Sequence, residues 1–253
     1  MFMFALFLLF ASEQAPTSSE LIRKAIAASE SQQSKDLKYT YREDHEQFQL
    51  NKQNQMSLTS RKTYDVIMLE GENYRKLILV DGKPLDEKLQ KKVDEDLEKT
   101  RARRKKRSIR TITRTVRTGG LEEVEKLFNA RVTGEETLNG RKAWRIEAEP
   151  KPGIKTTNKD ELNALNTRRT FWIDQQEGRE LRRKTEFLRP TNGFQPGSEI
   201  DMTFQKVGEA WLIDNILFRF DLKAMAVMRG RGESRNKFYD YRLYQTDSRL
   251  VPE

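Results

Sequence analysis

Residues 131–149 read RVTGEETLNGRKAWRIEAE, and the Asn139-Gly140 pair near the middle of this stretch decides the fold. Apolar and polar residues alternate on both sides of the pair. Asn-Gly between two such runs is the strongest short-range signal of a β-hairpin, because both central residues of a type I′ turn need positive φ. Two further turn signals follow, at residues 174–178 and 207–209. Three successive hairpins predict an antiparallel meander whose apolar face must be covered by helices, another sheet or a ligand.

The remaining strands are predicted from the same alternation of apolar and polar residues. A proline- and asparagine-rich loop is predicted over residues 150–166, and a second loop passes through Pro190 and Pro196. The predicted strands cover residues 37–42, 61–68, 74–80, 131–138, 141–149, 169–174, 179–188, 199–206, 210–222 and 237–244.

Three segments show helical patterns. Thr17 and Glu20 have the spacing of a capping box at the start of an amphipathic helix. From Leu85 to Leu97 an apolar residue recurs every four positions, which predicts a helix inside a charged excursion at about 84–118. A second short helix is predicted over 121–128, just after a Gly-Gly pair.

The composition limits the classes of function. The 253 residues are 36% hydrophobic and 34% charged, with a formal net charge of +9. A positive balance favours anionic partners such as lipid head groups, envelope polymers or nucleic acid, without choosing among them. The absence of cysteine excludes disulfides, thiolate catalysis, cysteine-ligated metals and a lipid-modified cysteine.

The N-terminus predicts the compartment. Residues 1–10, MFMFALFLLF, are uninterruptedly apolar, and the chain turns small and polar by Pro16. Ten residues are too few for a membrane-spanning helix, which needs about 20. We therefore expect residues 1–15 to be an export signal peptide and residues 16–253 to be a single domain in the periplasm. No Lys or Arg precedes the apolar run, so a membrane anchor or a misassigned start is the alternative.

Large apolar side chains alternate along the predicted strands and form one stripe. Such a stripe is either the ordinary core of a half-buried sheet or the wall of a cavity for acyl chains. Tyr239 and Tyr241 extend the alternation on the last strand. The residues predicted to line the cavity are Tyr39, Tyr41, Trp144, Ile146, Phe171, Ile173, Met202, Phe204, Phe218 and Phe220.

A basic run ends the charged excursion. Either it contacts an anionic surface or it is a solvated helix end, since charge runs usually repel and solvate. No aromatic residue interleaves it, which disfavours binding of single-stranded nucleic acid. The residues predicted to contact an anionic surface are Arg103, Arg104, Lys105, Lys106 and Arg107.

The sequence gives little support for an enzymatic function. His45 is the single histidine, and its position between two acidic residues is typical of a surface residue. Residues 227–233, VMRGRGE, lack a strand-to-helix context and are interpreted as a flexible basic turn. Asp174 and Glu177 are explained by turn chemistry. We predict no catalytic residue, no metal site and no cofactor.

The hairpin segments VTGEETLNGRKAWRIEA (132–148), FWID (171–174) and FQKVGEAWL (204–212) resemble the LolA/LolB/LppX superfamily of periplasmic lipoprotein-sorting and lipid-carrier proteins. The likeness covers roughly residues 18–246 and includes the order of the elements. It implies an α+β fold, an unclosed half-barrel of antiparallel strands with helices on its concave face. It also implies non-covalent binding of a lipid or lipoprotein acyl chain.

We therefore expect a monomeric periplasmic acyl-chain binder, with membrane surfaces or envelope proteins as further partners. Nucleic acid is disfavoured as a partner by the predicted export signal. The alternative is a structural or interaction protein of the cell envelope with a packed sheet and a basic docking surface.

Overall fold

The computed structural model of the protein describes residues 16–36, 39–51, 53, 55–106, 121–224 and 228–244. The described residues form four helices and eleven strands. The helices are α1 Ser18–Asp36, α2 Glu87–Lys106, α3 Leu121–Leu127 and α4 Lys159–Leu165. The strands are β1 Tyr39–Leu50, β2 Met56–Leu69, β3 Glu72–Val80, β4 Lys83–Pro84, β5 Phe128–Leu138, β6 Arg141–Pro150, β7 Thr167–Asp174, β8 Glu180–Phe187, β9 Glu199–Val207, β10 Ala210–Ala224 and β11 Met228–Leu243.

All described strands belong to one antiparallel sheet in the order β4-β3-β2-β1-β11-β10-β9-β8-β7-β6-β5. Every neighbouring pair except β1 and β11 is a pair of strands consecutive in sequence. Two meanders, β1–β4 and β5–β11, are therefore joined side by side through the first and last long strands. The prediction of an α+β half-barrel is confirmed, because β4 and β5 lie at opposite ends of this order and leave the described sheet unclosed.

The central hairpin has the predicted turn. Asn139 and Gly140 adopt φ values of 50° and 78° and connect β5 to β6, as a type I′ turn requires. The hairpins β7–β8 and β9–β10 are likewise confirmed.

Helix α1 begins with the predicted capping box. The backbone N–H of Thr17 donates to the Glu20 carboxylate at 2.8 Å, and the Glu20 N–H donates to Thr17 Oγ1 at 3.3 Å. These bonds satisfy amide donors that have no partner within the helix. The bond from the Thr17 N–H, together with the Thr17 hydroxyl that donates to the same carboxylate at 2.8 Å, lowers the pKa of the Glu20 carboxyl.

One face of the sheet, here called the helix-side face, packs against α1, α3 and α4. Ile146 and Phe171 lie on it with no exposed surface. Directly paired residues in a sheet point to the same face, so the strand register carries this face across to β1. Its successive cross-strand partners are Phe171, Arg183, Met202, Ile216, Asn236 and His45.

The core occupies the β5–β7 end of the helix-side face. Its fully buried side chains come from three helices and three strands. They are Leu21, Ile22 and Ala25 of α1, Leu121, Val124 and Leu127 of α3, Ala164 of α4, and Phe128, Ile146, Ala148, Phe171 and Ile173 of the sheet.

Helix α2 packs on the opposite, outer face at the other end of the sheet. Tyr74 Oη donates to the Asp96 carboxylate at 2.8 Å, and Lys76 Nζ lies 3.5 Å from the Asp94 carboxylate. Tyr74 and Lys76 flank Arg75, which reaches the opposite side and binds Glu43. Burial and the Asp96 hydrogen bond raise the pKa of Tyr74 to about 12.

Two segments differ from the sequence expectations. Residues 150–166 were expected as a loop but contain α4. Asn158 caps this helix, and its side chain accepts from the Asp160 N–H at 2.9 Å. Residues 228–233 were expected as a flexible turn but form the first part of β11. Periodicity missed both, because α4 is seven residues long and this part of β11 contains two glycines and no apolar alternation.

The last strand also breaks the expected alternation. Tyr239 Oη reaches Asp44 at 3.3 Å, whereas the Tyr241 ring lies 5.0 Å from that of Tyr41. Asp240 between them has φ of 55°, and the β1–β11 register shifts between Thr40 and Arg42. A bulge of this kind turns the two tyrosines away from a shared face.

Gly232 allows β11 to pack against its neighbours. Its position is buried, and a Cβ there would overlap the backbone carbonyl oxygen of Phe48 and lie 2.9 Å from Phe220 Cζ. By contrast, a Cβ at Gly230 would have no heavy atom within 4 Å.

We predict that Gly232→Ala lowers the free energy of unfolding by about 1–3 kcal/mol, because backbone and ring must move to admit the methyl group. Gly230→Ala, two residues away on the same strand, should leave stability unchanged or slightly raised. Urea denaturation of the two variants measures the difference. Equal midpoints would show that β11 does not pack as described.

Candidate functional site

The predicted cavity residues separate into groups with different surroundings. Ile146, Phe171 and Ile173 have no exposed surface and pack directly with helix side chains. Trp144 is partly buried against the same cluster. At the β5–β7 end of the sheet the described helices fill the helix-side face. Trp144, Ile146, Phe171 and Ile173 therefore belong to the core.

Met202, Phe218 and Phe220 lie beyond that core on the same face. Met202 pairs directly with Ile216, and Phe218 and Phe220 follow Ile216 at alternate positions of β10. All three predicted residues are half-buried, which leaves part of each side chain in contact with solvent. Strand register thus places them on one continuous apolar surface.

Four phenylalanine rings form a contiguous line on this surface, here called the aromatic row: Phe187, Phe194, Phe218 and Phe220. Successive ring centroids are 5.3, 5.0 and 5.4 Å apart, distances typical of interacting aromatic pairs. All four side chains are half-buried.

Phe187 and Phe194 were not predicted as site residues. The alternation of β8 would have placed Phe187 on the face of Arg183. Phe194 lies in the loop between β8 and β9, and single bridges to Thr191 and Leu222 position it. No sequence periodicity locates such a residue, because its placement depends on contacts with β10.

Phe204 does not share the face of the other predicted cavity residues, although it lines the groove described below. It packs against a cluster on the outer face that includes Trp172, Leu181 and Trp211. Trp172 alternates with Phe171 on β7 and therefore faces away from the helices. The β9–β10 register shifts between Ile213 and Asn215, beside Phe204, so the strict alternation assumed from the sequence does not hold there.

Tyr39 and Tyr41 form a separate aromatic group with β11. The Tyr41 ring lies 5.9 Å from Phe238 and 5.0 Å from Tyr241, and Tyr39 lies 6.3 Å from Tyr241. Tyr41 alternates with Glu43 on β1, and Phe238 pairs directly with Glu43, so this group also belongs to the helix-side face.

A buried charged group lies between the core and the aromatic row. Arg169 binds Glu123 at 3.1 Å and stacks over the Phe128 ring, while Arg183 pairs with Glu180. Burial lowers the pKa of the Arg169 guanidinium. Because each arginine has a carboxylate partner, the group adds polarity to this face without a large net charge.

The single histidine keeps part of its side chain exposed, and the structure gives it a specific partner. His45 is half-buried on the helix-side face, and its Nδ1 forms a short hydrogen bond with Asn236 Oδ1. Its direct neighbour on β2 is Lys62. Among the described residues, no group of three His, Asp or Glu side chains is arranged to hold a metal ion.

The basic run also differs from the expectation at one position. Arg104 is only 12% exposed, and its guanidinium donates to the backbone carbonyls of Leu69, Glu72 and Asn73 at 2.8–3.0 Å. These hydrogen bonds attach the end of α2 to the β2–β3 turn. The Arg104 guanidinium is therefore not available to bind an anionic surface. Arg103, Lys105 and Lys106 are exposed, and Arg107 lies outside the described residues.

The outer face carries a groove of about 540 Å³ beside the hairpin turns. Its floor is apolar. At its rim, charged side chains from three hairpins form a network of hydrogen bonds and ion pairs. Arg141 donates to Asp174 at 2.9 and 3.0 Å and to Glu177 at 2.9 Å. Glu177 also accepts from Trp211 Nε1 at 2.9 Å and from Lys206 Nζ at 3.0 Å.

Asp174 and Glu177 were expected to be explained by turn chemistry alone. The Glu177 N–H does donate to Asp174 Oδ1 at 2.6 Å, as in such turns. Their side chains, however, also bridge the β5–β6 and β9–β10 turns. The Trp211 hydrogen bond, with contributions from Lys206 and Arg141, lowers the pKa of Glu177 from 4.5 to about 2.

None of the described helices is long and apolar enough to cross a membrane.

Comparison with known proteins finds similarity to solved structures. No protein-family model and no curated protein matches the chain. A DUF1329 family protein from Desulfovibrio piger is 11% identical with a TM-score of 0.36, covering 92% of this chain and 94% of that chain. The LolA superfamily protein NE2245 from Nitrosomonas europaea is 9% identical with a TM-score of 0.34, covering 94% and 99%.

A Vibrio parahaemolyticus domain described as an outer membrane lipoprotein-sorting protein is 12% identical with a TM-score of 0.34, covering 92% and 95%. The solved structures similar to this chain thus include a member of the superfamily that its sequence resembles. Because the identities are near 10% and the TM-scores lie below 0.5, the function proposed below rests on this chain's own residues.

We predict that the free energy of unfolding of the Glu177→Gln variant depends less on pH under acidic conditions than that of the parent. The carboxyl titrates near 4.5 in the unfolded chain and near 2 in the folded protein. Its stabilising contribution is therefore complete above about pH 4.5 and is lost as pH falls through about 2. Between these values the parent should lose stability more steeply than the variant.

Urea denaturation at successive pH values measures both slopes. Glu209→Gln is the matched control, since Glu209 is an exposed carboxylate in the β9–β10 turn with no ion pair among the described residues. This control should follow the parent. Parallel curves for the Glu177→Gln variant and the parent would contradict the prediction.

Proposed function

We propose that the protein is a non-enzymatic binding protein that holds a lipid or lipoprotein acyl chain on the helix-side face of β9 and β10. The observation that carries this proposal is the aromatic row. Its four rings are contiguous and half-buried, and they lie next to the part of the same face that α1, α3 and α4 fill.

The physical basis is apolar burial. Removing apolar surface from water contributes roughly 25 cal/mol per Å², and this contribution needs no directional partner. An acyl chain buries apolar surface equally well against aromatic rings and against aliphatic side chains. Binding of this kind needs no covalent step, and we assign no catalytic residue to it.

The two faces of the sheet differ in a way that supports this choice. At β8–β11, ion pairs cover much of the outer face, and charged residues also lie at the rim of its groove. Examples of these ion pairs are Arg182 with Asp201, Lys184 with Glu199, Arg219 with Glu233 and Lys237 with Asp214. The helix-side face of the same strands carries Met202, Ile216 and the aromatic row, so an apolar ligand is favoured there.

We further propose that residues 1–15 direct export and that residues 16–253 act as one half-barrel domain in the periplasm. The apolar run at residues 1–10 supports this proposal and lies outside the described residues. The compartment matches the ligand, because envelope lipids and lipoproteins carry the acyl chains in question.

The alternative is an interaction protein of the envelope with a packed sheet. One observation favours it: Phe194 of the β8–β9 loop already packs on Phe187 and Phe218. Small apolar clusters beneath long loops are common in proteins that bind no lipid. The variants below separate the two functions.

We predict that Phe218→Gln weakens binding of a fluorescent fatty acid by about tenfold, the equivalent of roughly 1.4 kcal/mol. Its cost in stability should stay below the roughly 1–3 kcal/mol of an unsatisfied group in a packed core, because Phe218 is half-buried. Fluorescence titration and urea denaturation measure the two effects.

Phe48→Gln is the matched control. Phe48 is a half-buried phenylalanine on the outer face, where it pairs with Glu233 and lies under Arg235. This variant should bind the fatty acid like the parent. No binding by the parent, together with strong unfolding of the Phe218 variant, would favour the packed-sheet alternative. Native mass spectrometry of envelope-purified protein would then be expected to show no lipid.

We propose an anionic membrane surface as a second partner, contacted by the exposed basic end of α2. Replacing Arg103, Lys105 and Lys106 by Gln should reduce flotation with phosphatidylglycerol vesicles at low salt. Each charge is worth on the order of 1 kcal/mol near such a surface and is screened at high salt. Arg104 stays unchanged because it holds the helix.

The matched control replaces Lys88, Lys91 and Lys92, three exposed lysines in the N-terminal half of α2, by Gln. Both triple variants remove the same charge. Equal flotation of the two would show that the basic end makes no specific contribution to membrane binding.

A further inference from the structure

A row of polar side chains continues the helix-side face beyond the apolar surface. Ile216 on β10 pairs with Asn236 on β11, Asn236 pairs with His45 on β1, and His45 pairs with Lys62 on β2. Ser234 and Gln47 form the next direct pair, beside Phe218. Within three strands the same face therefore changes from aliphatic and aromatic to amide, imidazole and ammonium.

Lys62 is a half-buried cation without a counterion. Among the residues that the structure describes, no carboxylate lies within ion-pair distance of its Nζ. Glu43 shares its face, but Arg75 already holds Glu43 with two hydrogen bonds of 2.7 Å. Its Nζ is not among the buried unpartnered atoms of the described residues, so the ammonium reaches solvent and is free to bind an anion.

Asn236 supplies a second donor in the same row. His45 Nδ1 bonds to the amide oxygen of Asn236, and this orients the amide so that Nδ2 is free to donate. Within the described part of the chain, that nitrogen has no acceptor. His45 therefore acts as a positioning residue for the Asn236 amide.

Asn236 and Lys62 lie two strands apart, with His45 between them. Strands lie about 4.8 Å apart, so the Cα atoms of Asn236 and Lys62 are separated by roughly 10 Å across β1. The long lysine side chain spans much of that gap. Ile216 adjoins Asn236 on the other side, where the apolar surface begins.

We infer that Asn236 and Lys62 bind the anionic head group, a carboxylate or a phosphate, of the amphiphile whose acyl chain lies on the aromatic row. This inference rests on the proposed function and adds the chemical class and the orientation of the ligand. A charged hydrogen bond contributes roughly 1.5–3 kcal/mol, which corresponds to about tenfold or more in affinity.

The test uses two probes, a fatty acid with a fluorophore at the end of its chain and the methyl ester of the same acid. The parent should bind the acid about tenfold more tightly than the ester. Lys62→Met should abolish this preference and leave the affinity for the ester unchanged. Lys62→Arg, which keeps the charge, should retain the preference.

Lys142→Met is the matched control, because Lys142 is an exposed strand lysine at the far end of the sheet. It should behave like the parent. The comparison of acid with ester in the parent needs no variant, so a Lys62→Met protein that fails to fold does not prevent the test.

Equal binding of acid and ester by the parent would overturn the inference and leave acyl binding intact. An equal loss of both probes in the Lys62→Met variant would also overturn it. Displacement of the acid by inorganic phosphate, with ester binding unaffected, would show a site for a free anion and no head-group site. If the parent bound neither probe, the proposed function and this inference would both fail.

Discussion

The pairing of β1 with β11 is the constraint on which the rest of the structure depends. All other strand pairs connect neighbours in sequence, and only this pair joins the two meanders into one sheet. The pairing requires a glycine at position 232, where the Phe48 carbonyl and the Phe220 ring approach the backbone. It also brings Asn236 beside His45, so the proposed head-group site exists only because these two strands meet.

The helix-side face changes in character along the strand order. At β5–β7, helices fill it and the side chains are fully buried. At β8–β10 it carries half-buried aromatic rings. At β11–β2 it carries the polar row from Asn236 to Lys62 and, farther along the strands, the aromatic group of Tyr39, Tyr41, Phe238 and Tyr241. Beside its groove, the outer face is covered by ion pairs at β8–β11, and α2 covers it at β3. Exposed ion pairs contribute little to stability individually, but they keep that face hydrated. Under the proposed function, this asymmetry favours the helix-side face for an amphiphilic ligand.

Much of the fold was predictable because its signals are local. The Asn139-Gly140 turn, the Thr17–Glu20 capping box and the four-residue apolar period of α2 each depend on residues close in sequence. The candidate site was predicted only in part. Alternation located Phe218 and Phe220, but not Phe194, which a loop carries onto β10, nor the position of Phe204, where a register shift interrupts the alternation.

The sequence by itself determined the hairpins, the helical segments and the excess of positive charge, since turn geometry, capping and periodicity act over a few residues. Only the tertiary structure decided which apolar residues became core and which stayed half-exposed. Ile146 and Phe218 have similar sequence surroundings, yet helices pack on the first and not fully on the second. Arg104 likewise differs from Arg103 only because three carbonyls of the β2–β3 turn lie within its reach. Burial and hydrogen bonding depend on contacts between distant segments, and these are absent from any local pattern.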